Sequence, residues 1–359
     1  MRIAVIGAGP SGLALARYMA SDGYEVVVYE AQRELAVKPC GWGLPYTSDD
    51  HEIRDILKIA LDNTLWEYEG YRVYIDGELL FENKKKRVLG YIIDKRGFLR
   101  NLGEGIDLRI ESPARYLGEG RVLVKGKEVL KYDVVVNAGG FYAQKKSLEK
   151  IPAIQYILEG FFSEPEIPEL YFNSSLVGYA WFFPESRRRA RIGIGGYADV
   201  NTLENLLRSI ILSKSEFRNS TVLKREGALV TVGGVDLDLL SDKDPYHVGE
   251  AVGAVMPATG EGIRPGIYSS LALYKSFKEN RSYKEIFMRT RIYRAINLQR
   301  RILDLEIMLS PETRKRFLMK TPEDILIRLS LGDFSTTDLL RLSARPETIR
   351  VLLETMRSM

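Results

Sequence analysis

RIAVIGAGPSGLALARYMASDGYEVVVYE, residues 2–30, is the stretch that decides the fold of this chain. A short apolar run enters a turn with three glycines, a segment with helical apolar spacing follows, and a second apolar run ends in Glu30. This order predicts a strand, a tight turn, a helix and a second strand. The pattern is typical of a dinucleotide-binding unit, so we predict an α/β (α+β) fold built on a Rossmann-like sheet.

The three glycines of this turn each have a predicted physical role. Gly7 permits the tight turn, Gly9 lets the backbone approach a pyrophosphate, and Gly12 lets the helix pack close to the strand. Phosphates would bind the free N–H groups at the positive end of the helix dipole. Glu30 is placed to accept hydrogen bonds from a ribose, and NAD and FAD sites share this opening.

The composition narrows the class of protein. At 359 residues, with 45% hydrophobic and 28% charged residues, the chain fits a globular protein of roughly two domains. Its single cysteine excludes an internal disulfide and favours a reducing, cytoplasmic location. Its two histidines argue against a histidine-rich metal site or a Ser/His/Asp hydrolase, and we predict no metal. No apolar run approaches the ~18–20 residues that a membrane span needs.

Positive charge is concentrated toward the end of the chain. Residues 281–359 contain 16 Lys or Arg against 10 Asp or Glu, whereas the whole chain has a net charge of +4. Such a segment can bind nucleic acid, rest on an anionic membrane surface, or form a solvated helical face. We predict no nucleic-acid partner, while peripheral contact with an anionic membrane and a solvated face both stay open.

A second glycine-rich segment lies far along the chain. VGEAVGAVMPATGEGIRPGIYSSLALYKSF, residues 248–277, predicts a short strand leading to Glu250, a loop of glycines and prolines, and a helix from Gly262. Free N–H groups at such a helix start suit an electron-rich oxygen, as in a reduced flavin. VVVNAGG, residues 134–140, predicts a further buried strand that ends in small residues beside a ligand.

Several stretches together resemble one family. GAGPSG and GEAVGAVMPATGEGIRPGI resemble the two FAD fingerprints of the p-hydroxybenzoate hydroxylase-type flavoproteins. Within that group, YAWFFP at 179–184 and KPCGWGL at 38–44 are similar to the Tyr-x-Trp-x-Phe-Pro and Lys-x-Cys-Gly motifs of the geranylgeranyl reductases, which include the archaeal digeranylgeranylglycerophospholipid reductases. YIIDKRGFLRNL, at 91–102, resembles the Asp-Arg-x-x-Phe segment of the same family. The resemblance covers most of residues 1–310.

Three positions depart from the family pattern. Glu250 stands where the family usually has Asp, so the carboxylate is kept with a longer reach. Residues 138–140 read Ala-Gly-Gly where relatives often have Ala-Asp-Gly. Lys95, followed by Arg96, replaces an expected arginine. These departures leave the predicted fold unchanged. They concern which substrate the protein accepts.

The resemblance implies an enzyme that saturates C=C bonds in geranylgeranyl or polyprenyl chains of isoprenoid lipids. FAD would be bound non-covalently and would supply a hydride, while the protein supplies a proton. The electron donor would be NADPH or a ferredoxin-like protein. Two alternatives stay open: a flavin-dependent monooxygenase or epoxidase of the same fold, and a non-catalytic flavoprotein that binds prenyl lipid.

The same resemblance implies a set of site residues. Cys40, Tyr179 and Trp181 are the candidate catalytic residues, and the lipid would contact Tyr179, Trp181, Phe183 and Pro184. The predicted cofactor-binding residues are Gly7, Gly9, Pro10, Ser11, Gly12, Glu30, Ala31, Arg33, Cys40, Gly41, Lys95, Arg96, Ala138, Gly139, Gly140, Glu250, Pro257, Gly260, Glu261, Gly262 and Ile263.

Three interpretations of the role of Cys40 stay open. Glycines and prolines surround it in KPCGWGLP, residues 38–45, which predicts a rigid loop. By its resemblance to the reductase loop, this segment would lie beside the flavin. An ordinary thiol is mostly protonated at neutral pH, so it could donate a proton to an alkene. The thiol could instead shape the flavin pocket or simply pack.

The remaining patterns predict the organisation of the chain. Hairpins are expected at Asp76-Gly77 and at residues 187–189, and a capping box at Ser282 is expected to open one helix that lasts until Ser310. The predicted parts are a discontinuous FAD-binding domain of residues 1–65, 88–150 and 245–280, an inserted antiparallel-sheet substrate domain of residues 66–87 and 151–244, and a C-terminal helical region of residues 281–359.

Overall fold

The computed structural model describes residues 1–45, 50–84, 88–143, 148–162, 167–333 and 335–343. The strands in these ranges are β1 Arg2–Ile6, β2 Glu25–Tyr29, β3 Gly43–Pro45, β4 Thr64–Tyr68, β5 Gly70–Ile75, β6 Glu78–Lys84, β7 Gly90–Ile93, β8 Asp107–Arg109, β9 Ala114–Gly118, β10 Arg121–Val124, β11 Glu128–Lys131, β12 Val134–Asn137, β13 Lys150–Glu159, β14 Glu169–Phe172, β15 Gly178–Ser186, β16 Arg189–Gly196, β17 Thr221–Thr231 and β18 Tyr246–His247. The α-helices are α1 Pro10–Ser21, α2 Arg54–Leu61, α3 Lys95–Leu102, α4 Val200–Ser213, α5 Ser215–Arg218, α6 Ile263–Glu279, α7 Tyr283–Arg289, α8 Arg291–Met308, α9 Pro311–Lys320, α10 Glu323–Leu331 and α11 Thr336–Ser343.

A parallel sheet forms the first layer, with the strand order β18-β12-β1-β2-β8. Ile3 of the central strand β1 lies beside Val134 of β12 and Val26 of β2. One face of the sheet packs against α1 and α6, and the other packs against β10. Burial on both faces explains the continuous apolar runs of these strands, and the predicted α/β class with a Rossmann-type sheet is confirmed.

A second, mostly antiparallel sheet has the order β17-β13-β16-β15-β14-β5-β6, in which only β14 and β5 pair in parallel. Successive side chains of β15 point to opposite faces of the sheet. Ala180 and Phe182 pack with α4 and α5, whereas Tyr179, Trp181 and Phe183 point to the opposite face.

Both predicted hairpins are present in this second sheet. The β5–β6 hairpin turns at Asp76 and Gly77, whose φ angles of +49° and +86° are those that a tight two-residue hairpin needs. The β15–β16 hairpin turns at residues 187–188. The predicted boundaries of the three parts of the chain stay predictions.

The C-terminal region corrects one prediction. Ser282 caps α7 as expected, because its hydroxyl accepts a hydrogen bond from the Glu285 N–H. The expected single helix is nevertheless two helices, because Thr290 takes an extended conformation and its Oγ1 accepts from the Tyr293 N–H at 3.2 Å. This second cap ends α7 and begins α8. In the described part of the chain, no helix has the length and hydropathy that crossing a bilayer requires.

Candidate active site

One large cavity, with a volume of about 1340 Å³, lies between the parallel sheet, the second sheet and the C-terminal helices. Its wall is formed by the β1–α1 turn, the loop that contains Cys40, the open face of the second sheet and side chains of α8, α9 and α10. Typical small-molecule sites span ~300–1,000 Å³. The cavity therefore has room for a cofactor and part of a second molecule.

The β1–α1 turn forms one end of this cavity. Gly7 has a φ of +109°, and a Cβ there would lie 2.5 Å from the Ala138 carbonyl oxygen. A Cβ on Gly12 would lie 2.0 Å from the carbonyl oxygen of Gly7. A Cβ on Gly9, in contrast, would meet nothing within 4 Å, and Gly9 lines the cavity. The helix start is thus packed tightly from below and open toward the cavity, as an anion site requires.

The two glycine-rich segments meet at this end. The Ser11 hydroxyl lies so close to Gly249 and Gly266 that a Cβ on them would be 2.1 Å and 2.3 Å from its Oγ. The Ser270 hydroxyl donates to the carbonyl of Ser11 at 2.8 Å. Two motifs about 240 positions apart in sequence therefore form one site by close contact of α1 with α6.

Two carboxylates border the same end. Glu30, at the end of β2, accepts hydrogen bonds from the Ala8 N–H at 2.9 Å and the Gln32 N–H at 2.8 Å. Glu250 accepts from the Lys38 ammonium at 2.5 Å and from the Thr231 hydroxyl at 3.2 Å. Lys38 thus ties the loop of Cys40 to the second glycine-rich segment.

Cys40 lies where this end of the cavity meets the second sheet. The side chain is half-buried, and its Sγ accepts a hydrogen bond from the Trp42 N–H at 3.4 Å. Gly41 packs so closely on the sheet that a Cβ there would lie 3.0 Å from Phe183 and 3.2 Å from Trp181 Nε1. Because Gly41 has no side chain, the loop of Cys40 can pack directly against Trp181 and Phe183.

The aromatic face itself is continuous. The ring centroids of Tyr179 and Trp181 are 6.0 Å apart, and those of Trp181 and Phe183 are 6.3 Å apart. The Tyr179 hydroxyl donates to the Thr259 carbonyl at 2.6 Å, and burial raises the pKa of this phenol above its usual value. Tyr179 is therefore neutral at physiological pH and joins the second sheet to the loop before α6.

Most predicted site residues border this one cavity, and a few do not. Gly12 lies beneath the turn, Arg33 is exposed, Arg96 pairs with Glu34 at the surface at 2.9 Å, and Pro184 is buried on the opposite face of β15. The predicted residues that line the cavity are Gly7, Gly9, Pro10, Ser11, Glu30, Ala31, Cys40, Gly41, Lys95, Ala138, Gly139, Gly140, Tyr179, Trp181, Phe183, Glu250, Pro257, Gly260, Glu261, Gly262 and Ile263. Their roles stay predictions.

The sequence did not indicate the wall that the C-terminal helices supply. Apolar side chains of these helices line the far part of the cavity, among them Ile302, Leu303, Leu305, Phe317, Leu318, Ile325 and Ile327. Glu306 lies among them, and burial raises the pKa of its carboxyl to about 7. The sequence predicts a helical region at residues 281–359, but no local signal says against which part of the chain its helices pack.

A buried ionic network joins these helices to α6. Arg264 donates to Asp50 at 3.0 Å and to the Leu331 carbonyl at 2.7 Å, while Arg291 of α8 donates to the same Asp50. The Arg264 N–H donates to Glu261 at 2.7 Å, and burial raises the pKa of that carboxyl. The network fixes the start of α6 and the helical wall relative to each other.

Comparisons with known proteins agree with this geometry. Residues 1–162 match the model of the pyridine nucleotide-disulphide oxidoreductase family. A digeranylgeranylglycerophospholipid reductase of Thermoplasma acidophilum is 26% identical over 316 residues, which is 77% of this chain and 78% of that protein. The reductase of the same name from Picrophilus torridus is 26% identical over 333 residues, or 80% of each chain.

Solved structures show the same fold. The crystal structure of a geranylgeranyl bacteriochlorophyll reductase-like protein from Thermoplasma acidophilum superposes with a TM-score of 0.79, at 22% identity, over 99% of this chain and 98% of that one. A 2-methyl-3-hydroxypyridine-5-carboxylic acid oxygenase superposes with a TM-score of 0.65, at 18% identity, over 95% and 97% of the two chains. The predicted resemblance to the reductases is thereby confirmed: the chain is similar to digeranylgeranylglycerophospholipid reductases, and its first 162 residues match the pyridine nucleotide-disulphide oxidoreductase family.

Proposed function

We propose that this protein is an FAD-dependent reductase that saturates C=C bonds in the polyprenyl chains of isoprenoid lipids. The observation that carries the proposal is the continuity of the cavity, which runs from the glycine turn to a largely apolar compartment with Cys40 at their junction. The names of the reductases similar to this chain point to geranylgeranyl chains on a glycerophospholipid.

The residues at the glycine end fit FAD. The space beside Gly9, where a Cβ would meet no atom within 4 Å, would admit a pyrophosphate against the N-terminus of α1. Glu30 would contact the ribose, and Glu250 the chain that leads to the flavin ring. Gly262, which precedes α6 and lines the cavity, would face the oxygen-rich edge of a reduced flavin at the positive end of the helix dipole, whereas the Arg264 N–H already donates to Glu261.

The far compartment fits an apolar chain. Tyr179, Trp181 and Phe183 form one wall, and leucine and isoleucine side chains of α8, α9 and α10 form the other. Glu306 is largely neutral at pH values below about 7 because burial raises its pKa. Such a lining would bind a polyprenyl chain and would leave a small polar substrate without partners.

When bound, FAD in its reduced form would supply the hydride for one alkene carbon. Cys40 would hold the proton for the other carbon at Sγ: its S–H bond breaks as the second C–H bond forms. The Trp42 N–H, which already donates to Sγ, would stabilise the resulting thiolate until the thiol regains a proton. Trp181 and Phe183 would align the chain and exclude water.

A substitution tests this role of Cys40. We expect Cys40→Ser to bind FAD and to be reduced normally, but to lose about 10²-fold in alkene-dependent flavin reoxidation, because a positioned acid contributes on that scale. Reoxidation at the wild-type rate in both Cys40→Ser and Cys40→Ala would leave the thiol as part of the pocket wall only.

Mass spectrometry tests the function itself. Cells that produce an unsaturated polyprenyl lipid together with this protein should accumulate lipid that carries two additional hydrogens for each reduced bond. The same cells with Gly9→Glu should not, because the new carboxylate would occupy the space of the pyrophosphate. Unchanged lipid beside wild-type, FAD-loaded protein would contradict the proposal.

A second candidate is a flavin-dependent monooxygenase or epoxidase, which the structural likeness to an oxygenase over 95% of the chain favours. That activity would add oxygen to the product and would stop without O₂. A flavoprotein that binds lipid without catalysis would leave the mass of the lipid unchanged. We propose that NADPH or a ferredoxin-like protein donates the electrons. We also propose that the protein contacts an anionic membrane surface. Each of these proposals needs its own experiment.

A further inference from the structure

Charged and polar residues of the second sheet contact the loop of Cys40, and none of them belongs to a motif recognised in the sequence. Arg191 of β16 is only 3% exposed, and its guanidinium lies over the Trp42 ring, 3.5 Å from the ring centroid. Two carboxylates accompany the cation: Glu185 forms an ion pair with it at 2.5 Å, and Glu226 lies at 3.7 Å. The indole is therefore stacked on a cation whose own position is fixed.

A second tie reaches the same loop from the neighbouring strands. Gln155 of β13 is 2% exposed. Its amide donates to the carbonyl oxygen of Cys40 at 3.2 Å and to Glu226 of β17 at 2.7 Å. Glu226 thus links Gln155 with Arg191, and the two contacts to the loop form one network across three strands.

This network holds a residue in an unfavourable conformation. Trp42 has a φ of +64°, the left-handed region that a bulky L-residue rarely occupies. The N–H of this same residue donates to the Cys40 Sγ, two residues earlier in the chain. The Trp42 carbonyl accepts from the Ile93 N–H at 3.1 Å, so the peptide is anchored on the other side as well.

We infer that Arg191 and Gln155 are positioning residues that keep the Cys40 thiol at the junction of the cavity. Arg191 does not line the cavity, so it acts through Trp42 and not by contact with a substrate. The inference rests on the proposed role of Cys40 in the reduction. Its physical content is that the stack on Arg191 stabilises the left-handed Trp42, which in turn fixes the thiol.

Arg191→Lys tests this inference, because lysine keeps the charge near Glu185 and Glu226 but loses the planar stack. A matched control lies two residues away: Arg189 pairs with the same Glu185 at 2.8 Å but is exposed and does not touch Trp42. We expect Arg191→Lys to lower the maximal rate of alkene-dependent flavin reoxidation ~10-fold or more, with KM and FAD content unchanged, because misplacement of a reacting group is costly. Arg189→Lys should match the wild type.

A double variant separates positioning from general stability. In a Cys40→Ser background, Arg191→Lys should cause no further loss of rate, because both changes remove the same proton donor. A full additional loss would show that Arg191 acts on the enzyme in another way, and would overturn the inference.

A second readout does not depend on catalysis. The chain has one cysteine, so alkylation of the FAD-loaded protein by iodoacetamide reports on Cys40 alone. Release of the loop should speed alkylation of this half-buried thiol about fivefold in Arg191→Lys, since local opening exposes it. Alkylation equal to that of Arg189→Lys would overturn the inference even if the protein reduces alkenes. Faster alkylation without any alkene reduction would instead uphold the positioning and contradict the proposed function.

Gln155→Met keeps the test decisive if Arg191→Lys does not fold, with alkylation as the deciding readout because Gln155 itself lines the cavity. It removes the hydrogen bonds to the Cys40 carbonyl and to Glu226 and leaves the Arg191 stack in place. The same fall in rate and the same gain in alkylation are expected. Wild-type behaviour in both measurements would contradict the inference.

Discussion

Glu306 offers a test of the apolar compartment that needs no cofactor. Glu306 lines the cavity among apolar side chains of the C-terminal helices; burial raises the pKa of its carboxyl from 4.5 to about 7, against the smaller, lowering effect of the Arg314 charge. The unfolded chain therefore releases this proton near pH 4.5, whereas the folded chain keeps it until about pH 7. Folding takes up a proton between these values, so this group's contribution to stability is lost as the pH rises from 4.5 to about 7.

The size of the effect follows from the difference between the two pKa values. Each pH unit between them corresponds to ~1.4 kcal/mol, which sets an upper bound of about 3.5 kcal/mol. Glu306 is only partly buried, so solvent screens the carboxylate and we expect ~2 kcal/mol in practice. Glu306→Gln should consequently have nearly wild-type stability near pH 4 and exceed the wild type by ~2 kcal/mol near pH 8.

Urea unfolding followed by tryptophan fluorescence at the two pH values measures this difference. Glu104→Gln is a suitable control, because Glu104 is exposed and its replacement removes the same formal charge. The control should change little between the two pH values. If the free-energy difference between Glu306→Gln and the wild type were the same at both, Glu306 would not lie in an apolar environment and the compartment would be wrongly described.

Four further substitutions, at three glycines, test the glycine contacts. Gly9→Glu should yield colourless protein, and Gly9→Ala should fold normally but bind FAD more weakly, because its Cβ meets no protein atom within 4 Å and enters the space proposed for the pyrophosphate; the flavin content of purified protein checks both. Gly12→Ala would place a Cβ 2.0 Å from the carbonyl oxygen of Gly7, so unfolding measurements should show a loss of at least ~2 kcal/mol. Gly193→Ala would place a Cβ 2.3 Å from the Trp181 ring and should slow lipid turnover while FAD stays bound; unchanged turnover would argue against Trp181 as a lipid contact.

Local rules were enough to predict the framework of this fold. The glycines of the first turn, the hairpin at Asp76-Gly77 and the cap at Ser282 each act on neighbouring residues, and each is present as expected. The alternation of β15 also holds, since Tyr179 and Trp181 share the cavity face. These features depend on periodicity and backbone conformation, which a single sequence displays.

Long-range contacts could not be predicted in the same way. Asp50 and Arg264 are 214 positions apart, and nothing near either residue shows that they form a buried ion pair. Arg191 stacks on Trp42 from the second strand of a hairpin whose turn the sequence predicts at residues 187–189, but nothing in that strand indicates the contact. The break at Thr290 was missed for a different reason: a threonine cap competes with helix continuation, and the uninterrupted apolar spacing concealed it.

The most direct test of the central claim is anaerobic reoxidation of the reduced flavin by a geranylgeranyl lipid. Purified, FAD-loaded protein is photoreduced without oxygen and mixed with the lipid, and the flavin absorbance is followed in time. We predict that the spectrum of oxidised flavin returns in the wild-type protein and returns far more slowly in Cys40→Ser. The lipid should gain two hydrogens for each double bond that is reduced. A flavin that stays reduced with the lipid and reoxidises only when oxygen is admitted would contradict the proposed reductase.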